Sequence, residues 1–121
     1  AKHGMNICIV HRNSRSQLAD IEKEFNEITH QGVGFISYNT DAFHLEKRAA
    51  IIEELAEELD GGSIKILVHS VAKGNLKPMI SELTPTLQTD DFQLTIQAMG
   101  ISLYDWTKAV FEARKEKLRN G

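Results

Sequence analysis

Short apolar runs alternate along the chain with segments in which apolar residues recur every three or four positions. Three of the runs are almost continuously apolar and rich in β-branched residues. Such runs are typical of strands that are covered on both faces, as in a parallel sheet with helices above and below. The pattern therefore predicts three parallel strands, at Asn6–Val10, Val33–Tyr38 and Ile64–Val68.

The segments between these runs have the period of amphipathic helices, in which one stripe of apolar residues faces a core. The first stripe consists of Leu18, Ile21, Phe25 and Ile28, and the second of Leu45, Ala49, Ile52, Leu55 and Leu59. Ser14 or Ser16 is suited to cap the first helix, and Gly32 to end it. The sequence Asp60-Gly61-Gly62 is suited to end the second.

The last third of the chain combines an irregular stretch with a long helical pattern. Residues 72–91 contain both prolines and show no clear period, which is typical of a functional loop. A helix is predicted from Asp91 toward Arg119. The order strand, helix, strand, helix, strand, loop, helix predicts an α/β fold with a Rossmann-type doubly wound parallel sheet, in one domain over residues 1–121.

Composition narrows the class of protein. Hydrophobic residues make up 41% and charged residues 26% of the 121 residues, which excludes a disordered or low-complexity chain. The net charge of −3 predicts no overall attraction to nucleic acid or to an anionic membrane, and no apolar run approaches the length of a membrane span. Cys8 lies within an apolar run and is predicted to be a small core residue in a reducing, cytoplasmic compartment.

The five histidines do not form a pair at helical spacing and have no cysteine partner, so no metal site is predicted. In an open parallel sheet, ligands bind outside the carboxyl ends of the strands. The residues that follow the predicted strands are His11-Arg12-Asn13-Ser14-Arg15, Asn39-Thr40-Asp41-Ala42 and His69-Ser70-Val71-Ala72. These three segments are therefore the candidate binding site.

The segment after the first strand carries two arginines, Arg12 and Arg15, and no acid. In dinucleotide-binding folds, a carboxylate at the corresponding strand end accepts hydrogen bonds from a free ribose 2′-hydroxyl, whereas a guanidinium suits a 2′-phosphate. The alternative is that both arginines merely decorate the start of a helix, where the helix dipole disfavours cations. The pattern favours NADPH, with NADH as the alternative.

Together these residues resemble the middle of a short-chain dehydrogenase/reductase. Residues 6–12 are similar to the second strand of that family, so the three predicted strands correspond to its strands 2, 3 and 4. His69-Ser70-Val71-Ala72 occupies the place of the family's Asn-Asn-Ala-Gly, in the His-Ser-x-Ala form of the enoyl-thioester (enoyl-ACP) reductase branch. The helix Phe92–Ala113 is similar to the family's fourth helix, with Thr95-Ile96-Gln97-Ala98 as the matching pattern.

The resemblance implies hydride transfer from NADPH to an enoyl thioester or carbonyl substrate. It implies three sets of cofactor contacts: Arg12, with help from His11 or Arg15, at the 2′-phosphate, Asp41 and Ala42 at the adenine, and Ser70, Val71 and Ala72 at the ribose and pyrophosphate. It also implies a homo-oligomer formed through the helix Phe92–Ala113.

The sequence departs from the family pattern in its catalytic parts. The glycine-rich turn is expected before Ala1, and the catalytic Ser, Tyr and Lys are expected after Gly121, so these residues are predicted to be an internal part that is catalytically incompetent alone. Tyr104 and Lys108 have the spacing of the family's Tyr-x-x-x-Lys pair. No apolar strand lies between residues 73 and 91 to carry the Ser, so we interpret this pair as surface residues of a helix.

A second hypothesis is a self-contained, flavodoxin-like α/β module that binds a nucleotide or a protein partner without catalysis. In the short-chain family, a further strand lies between those that end at Val10 and Val68. The flavodoxin-like alternative requires these two strands to pair directly. It predicts a continuous three-stranded sheet.

Overall fold

The computed structural model describes residues 2–120, with side chains through residue 115. The chain divides into two compact units, Ala1–Lys47 and Arg48–Gly121. Helices and strands follow in the order β1 (Ile7–His11), a 3-10 turn (Arg15–Gln17), α1 (Leu18–Thr29), β2 (Phe35–Asn39), α2 (Leu45–Glu58), α3 (Thr89–Ile96), a π-helical turn (Gln97–Ile101) and α4 (Ser102–Asn120).

In the first unit, β1 and β2 form a parallel pair in which Ile7 lies opposite Phe35 and His11 opposite Asn39. Both strands were predicted, but β1 begins one residue and β2 two residues later than expected, and each ends one residue later. Helix α1 packs on the face that carries Phe35, where the ring centroids of Phe25 and Phe35 are 4.9 Å apart. The first two strands and the helix between them are thus confirmed.

The start of the ladder is fixed by a close contact between Gly34 and the side chain of Asn6. The amide of Gly34 donates to Oδ1 of Asn6 at 2.9 Å, and the amide of Ile7 donates to the carbonyl of Gly34 at 2.9 Å. A Cβ at Gly34 would lie 3.2 Å from the Asn6 side chain. Asn6 therefore acts as an additional rung that sets the register of β1 and β2.

Helix α1 begins later than the predicted serine cap indicates, because Ser14 caps a 3-10 turn and Gln17 is the residue before Leu18. The backbone amide of Ser14 donates to the side chain of Gln17 at 3.0 Å, which closes the 3-10 turn before Leu18. After the helix, Gly32 has a φ of +71°, in the left-handed region that glycine tolerates best. The predicted apolar stripe of α1 is half-buried along its length.

The prediction that Cys8 is a core residue is wrong. Its thiol is exposed, although the partial burial that it retains raises its pKa. Adjacent residues of a strand point to opposite faces. Because α1 packs against the face that carries His11 and Phe35, Cys8 lies on the opposite face of the pair.

The third predicted strand, Ile64–Val68, is also wrong: this segment has no regular secondary structure. Ile66 and Val68 are 64% and 77% exposed. A strand is stabilised by its neighbours in the ladder, and the sheet of the described residues contains β1 and β2 alone. Of the predicted fold, the structure therefore shows a two-stranded parallel sheet with helices, and the continuous three-stranded sheet of the flavodoxin-like alternative is not observed in residues 2–120.

The second unit contains the buried residues. Its apolar core consists of Ile51, Ile52, Leu55, Ala98 and Trp106. The predicted stripe of α2 correctly contains Ile52 and Leu55 but misses Ile51, and it includes Leu45, which is 68% exposed. The helix ends as expected, since Gly61 has a φ of +92°.

The long helix predicted from Asp91 starts at Thr89 and is interrupted by the π-helical turn Gln97–Ile101. Such turns are rare and occur often at functional sites. The interruption separates α3 from α4, which contains Trp106. None of the helices within residues 2–120 has the length and apolar character of a membrane span.

Candidate nucleotide-binding site

The carboxyl ends of β1 and β2 are joined by the side chain of Asn39. Its Oδ1 accepts the amide of Asn13 at 3.0 Å, and its Nδ2 donates to the carbonyl of Asn13 at 3.1 Å. The amide of Thr40 donates to the carbonyl of His11 at 2.8 Å. Because Asn39 continues the ladder beyond the strands, the loops that follow β1 and β2 are held together. Sequence reasoning did not assign this role, although an asparagine directly after a strand was a visible signal.

His11 is held within its own unit. Its Nδ1 and Oδ1 of Asn13 form a hydrogen bond of 2.7 Å, and its ring meets the edge of Phe25 with 5.3 Å between centroids. These contacts fix the imidazole between the loop and α1. The structure therefore assigns His11 a supporting contact in the loop, and its contact with a cofactor stays a prediction.

Arg12 and Asp41 come together from the two loops. Nη1 of Arg12 lies 3.3 Å from Oδ2 of Asp41, and the other oxygen of Asp41 accepts the amide of Phe43 at 3.0 Å. The Arg12 side chain is 70% exposed, and that of Asp41 is 34% exposed. A guanidinium has five N–H donors, so most of this group faces solvent and can meet an anion. Ala42, the next residue, is half-buried.

In the second unit, the segment that was predicted to line a cofactor follows His69. Nε2 of His69 and Oγ of Ser102 form a hydrogen bond of 2.9 Å, and Ser102 is 1% exposed. This bond anchors the segment to the first residue of α4. Ser70 and Ala72 are exposed, and Val71 is half-buried.

Ala72 lines a cavity of about 440 Å³ in the second unit. The lining residues are Ala72, Lys73, Gly74, Asn75, Leu76, Thr95 and Met99. The cavity thus has one wall from the loop after the predicted third strand and the other from α3 and the π-helical turn. Ala72 is thus one of the three predicted cofactor-lining residues in this unit, and it lines this cavity.

A buried carboxylate beside this cavity was missed by sequence reasoning. Asp91 is 6% exposed and accepts hydrogen bonds from Nζ of Lys77 at 2.9 and 3.0 Å, from the amide of Gln88 at 2.8 Å, and from the side chain of Asn75. The side chain of Lys77, the backbone amide of Gln88 and the side chain of Asn75 together lower the pKa of Asp91 from 3.8 to about 2. The sequence contained half of the signal, since an acid three residues after a helix cap is a capping pattern.

Tyr104 and Lys108 have the environment of a surface pair. Tyr104 is 65% exposed on α4, and Nζ of Lys108 lies 3.9 Å from Oε1 of Glu112. Within the described part of the chain, no three His, Cys, Asp or Glu side chains are grouped so that they could hold a metal ion.

Comparisons with known proteins agree with the fold. No protein-family model and no curated protein matches the chain. Among solved structures, the chain is similar to an alcohol dehydrogenase from the archaeon Thermococcus sibiricus complexed with 5-hydroxy-NADP, with a TM-score of 0.69 and 19% identity. The match covers 95% of this chain and 45% of that one, so the chain spans less than half the length of the dehydrogenase. The likeness shows that the chain has a Rossmann-like fold.

Proposed function

We propose that the chain is the NADPH-binding part of a short-chain oxidoreductase that reduces a carbonyl compound or an enoyl thioester. The dehydrogenase-like fold supports the class of reaction. The observation that carries the choice of cofactor is the exposed Arg12 guanidinium beside Asp41 at the ends of β1 and β2. When bound, NADPH supplies the hydride.

The residues at the strand ends fit a 2′-phosphate. An exposed ion pair such as Arg12 with Asp41 is worth about 0.2–1 kcal/mol, so an incoming phosphate can replace it at small cost. A guanidinium binds phosphate through charge-assisted and often bidentate hydrogen bonds. Arg12 therefore holds the 2′-phosphate, while His11 fixes the loop from which Arg12 projects.

The other proposed contacts come from Asp41 and Ala42 after β2 and from the segment that follows His69. The hydrogen bond between the Phe43 amide and Asp41 fixes the turn that presents Asp41 and Ala42, and these two residues bound the adenine. Ser70, Val71 and Ala72, in the segment that His69 anchors to Ser102, line the ribose and pyrophosphate. These assignments extend the resemblance to short-chain reductases residue by residue.

The decisive experiment compares the affinities of NADPH and NADH for the wild type, Arg12→Ala and the control Arg15→Ala. Because Arg12→Ala loses the charge-assisted bonds to the 2′-phosphate, its affinity for NADPH is expected to be about 10- to 100-fold lower than that of the wild type. NADH is expected to bind equally well to all three proteins, and Arg15→Ala to keep most of the NADPH affinity. A strong preference for NADH that persists in Arg12→Ala would contradict the proposal.

The enoyl-thioester branch is the finer part of the proposal and rests on His69-Ser70-Val71-Ala72. Oxidation of NADPH is followed with an enoyl thioester and, separately, with a ketone of similar size. Turnover of the thioester alone supports the branch. Turnover of the ketone alone assigns the protein to carbonyl reduction instead.

We also propose that the helix Phe92–Ala113 joins two copies of the protein. Phe92 and Ile96 are each more than half exposed and lie four residues apart on α3, a spacing that places both on one helix face. Ile96→Lys is expected to convert an oligomer to a monomer in light scattering, and Asp90→Lys, at an exposed position of α3 outside this face, is the control. A monomeric wild type would contradict this interface.

A further inference from the structure

The two walls of the cavity at Ala72 meet at a close contact. A Cβ at Gly74 would lie 3.0 Å from Oγ1 of Thr95, so the loop backbone runs directly against α3. Thr95 in turn donates to the carbonyl of Asp91 at 3.0 Å, one helical turn earlier. The position of the loop relative to α3 therefore shapes the cavity.

Side chains, and not regular secondary structure, hold this loop. Residues 72–77 have no helix or strand, and Leu76 is fully exposed. Asn75 and Lys77, on either side of Leu76, both donate to the carboxylate of Asp91 in the first turn of α3. We call these three residues, Asn75, Lys77 and Asp91, the Asp91 clasp.

We propose that Asp91 is a positioning residue, which holds Asn75 and Lys77 so that the loop wall of the cavity is preformed for the ligand that contacts Ala72. This inference rests on the proposed function, in which that ligand is NADPH. A loop that is already ordered loses less conformational freedom when a ligand binds, so the clasp raises affinity without touching the ligand.

Asp91 has a second role that the test must separate from the first. One of its oxygens accepts the amide of Gln88, which caps α3. A substitution of Asp91 therefore removes the cap and the clasp together. Lys77 contacts the carboxylate but does not line the cavity, so Lys77→Met opens the clasp and leaves both the cap and the cavity lining in place.

The experiment measures two quantities in the wild type, Lys77→Met, Lys77→Arg and Asp90→Asn. The first is hydrogen exchange of the amides of residues 73–77, and the second is the dissociation constant for NADPH by fluorescence titration. Asp90 is the matched control, because it is an exposed acid in the same helical turn outside the clasp.

In Lys77→Met, we expect loop exchange about tenfold faster and NADPH binding about tenfold weaker than in the wild type. Lys77→Arg keeps a charged donor and is expected to restore both quantities, while Asp90→Asn changes neither. Faster exchange with unchanged NADPH affinity would overturn the positioning role, since a purely structural brace behaves in that way.

If the amides of residues 73–77 exchange at the same rate in Lys77→Met as in the wild type, the clasp itself is refuted, whether or not the cofactor binds. A wild type that binds no NADPH would instead refute the proposed function and, with it, the role of Asp91 toward that cofactor. A parallel measurement on Asp91→Asn is expected to show both effects together with a lower melting temperature, because this variant also loses the cap of α3.

Discussion

The two units of the chain place their polar residues in different surroundings. In residues 2–47, every described residue is exposed or half-buried, and polar side chains continue the backbone ladder of β1 and β2 at the surface. In residues 48–115, Arg48, Asp91 and Ser102 are buried together with the apolar core. Each has a polar partner, in Asp105, Lys77 and His69 respectively.

This difference separates residues that serve the fold from residues that are available to a ligand. A buried polar group is costly unless it is paired, so the three buried groups of the second unit are committed to their partners. Arg12 in the first unit is exposed, and its contact with Asp41 is of the weak kind. We therefore expect substitution of the buried groups in the second unit to lower stability more than ligand binding. Substitution of Arg12 in the first unit should lower ligand binding more than stability.

The largest effect on stability is expected in the core of the second unit. Ile51 is 5% exposed on α2, and Ile51→Ala leaves a cavity that should cost about 2–5 kcal/mol of unfolding free energy. The control on the same helix is Leu45→Ala, where a 68% exposed side chain is truncated and the change should stay within about 0.5 kcal/mol. Denaturant unfolding followed by circular dichroism measures both. Equal effects of the two variants would show that the core is not organised around Ile51.

The next largest effect is the pH dependence of stability that Asp91, in the second unit, is expected to produce. The pKa of Asp91 is lowered from 3.8 to about 2, so its ionised form stabilises the folded state. This contribution is complete above the usual pKa and is lost as the pH falls from about 4 toward 2. Asp91→Asn is therefore expected to be less stable than the wild type at pH 7, with a difference that shrinks across this range.

Asp90→Asn is the control for that experiment, since Asp90 is exposed and lies in the same turn of α3. Acid titration of the melting temperature distinguishes the variants. If Asp91→Asn and the wild type lose stability in parallel between pH 4 and pH 2, the carboxylate does not carry the stabilising charge.

The same contrast explains how far the sequence predicted the structure. The strands Ile7–His11 and Phe35–Asn39 formed as their patterns indicate, because each has the other as its neighbour. Ile64–Val68 is as apolar as the other two and is not a strand. An apolar run specifies that a segment prefers burial, but the ladder partner that makes it a strand is a property of the whole fold.

The candidate site shows the same limit. The pairing of Arg12 with Asp41 follows from two strand ends that meet at one edge of a parallel sheet, which periodicity can predict. Periodicity could not predict the clasp around Asp91, because Asn75 and Lys77 lie in a loop without period and are 14 to 16 residues away from Asp91 in the sequence. Local patterns contain no information on such contacts, so the cavity beside Ala72 could be found in the structure alone.

A smaller effect on stability is expected at the strand ends of the first unit. Asn39→Ala removes both hydrogen bonds to the backbone of Asn13 and should cost about 1 kcal/mol, because each bond is solvent-exposed. Ser37→Ala, at an exposed position of the same strand, is the control. Thermal unfolding measures the difference. A loss as large as that of Ile51→Ala would show that the first unit depends on Asn39 as the second depends on its core.

The smallest effect on stability should come from Arg12. Arg12→Gln removes an exposed ion pair with Asp41, so the unfolding free energy should fall by about 0.2–1 kcal/mol and less in high salt. The same substitution should have one of the largest effects on NADPH affinity if Arg12 holds the 2′-phosphate. Asp41→Asn breaks the same pair from the other side and should lower stability equally. Because Asp41 is proposed to bound the adenine, which NADPH and NADH share, this variant should change both affinities alike, whereas Arg12→Gln should weaken binding of NADPH alone. A large loss of stability in Arg12→Gln with little loss of NADPH affinity would contradict this expectation. Arg12 would then be a structural residue, like the buried polar residues of the second unit. The choice of NADPH, which depends on Arg12, would lose its support.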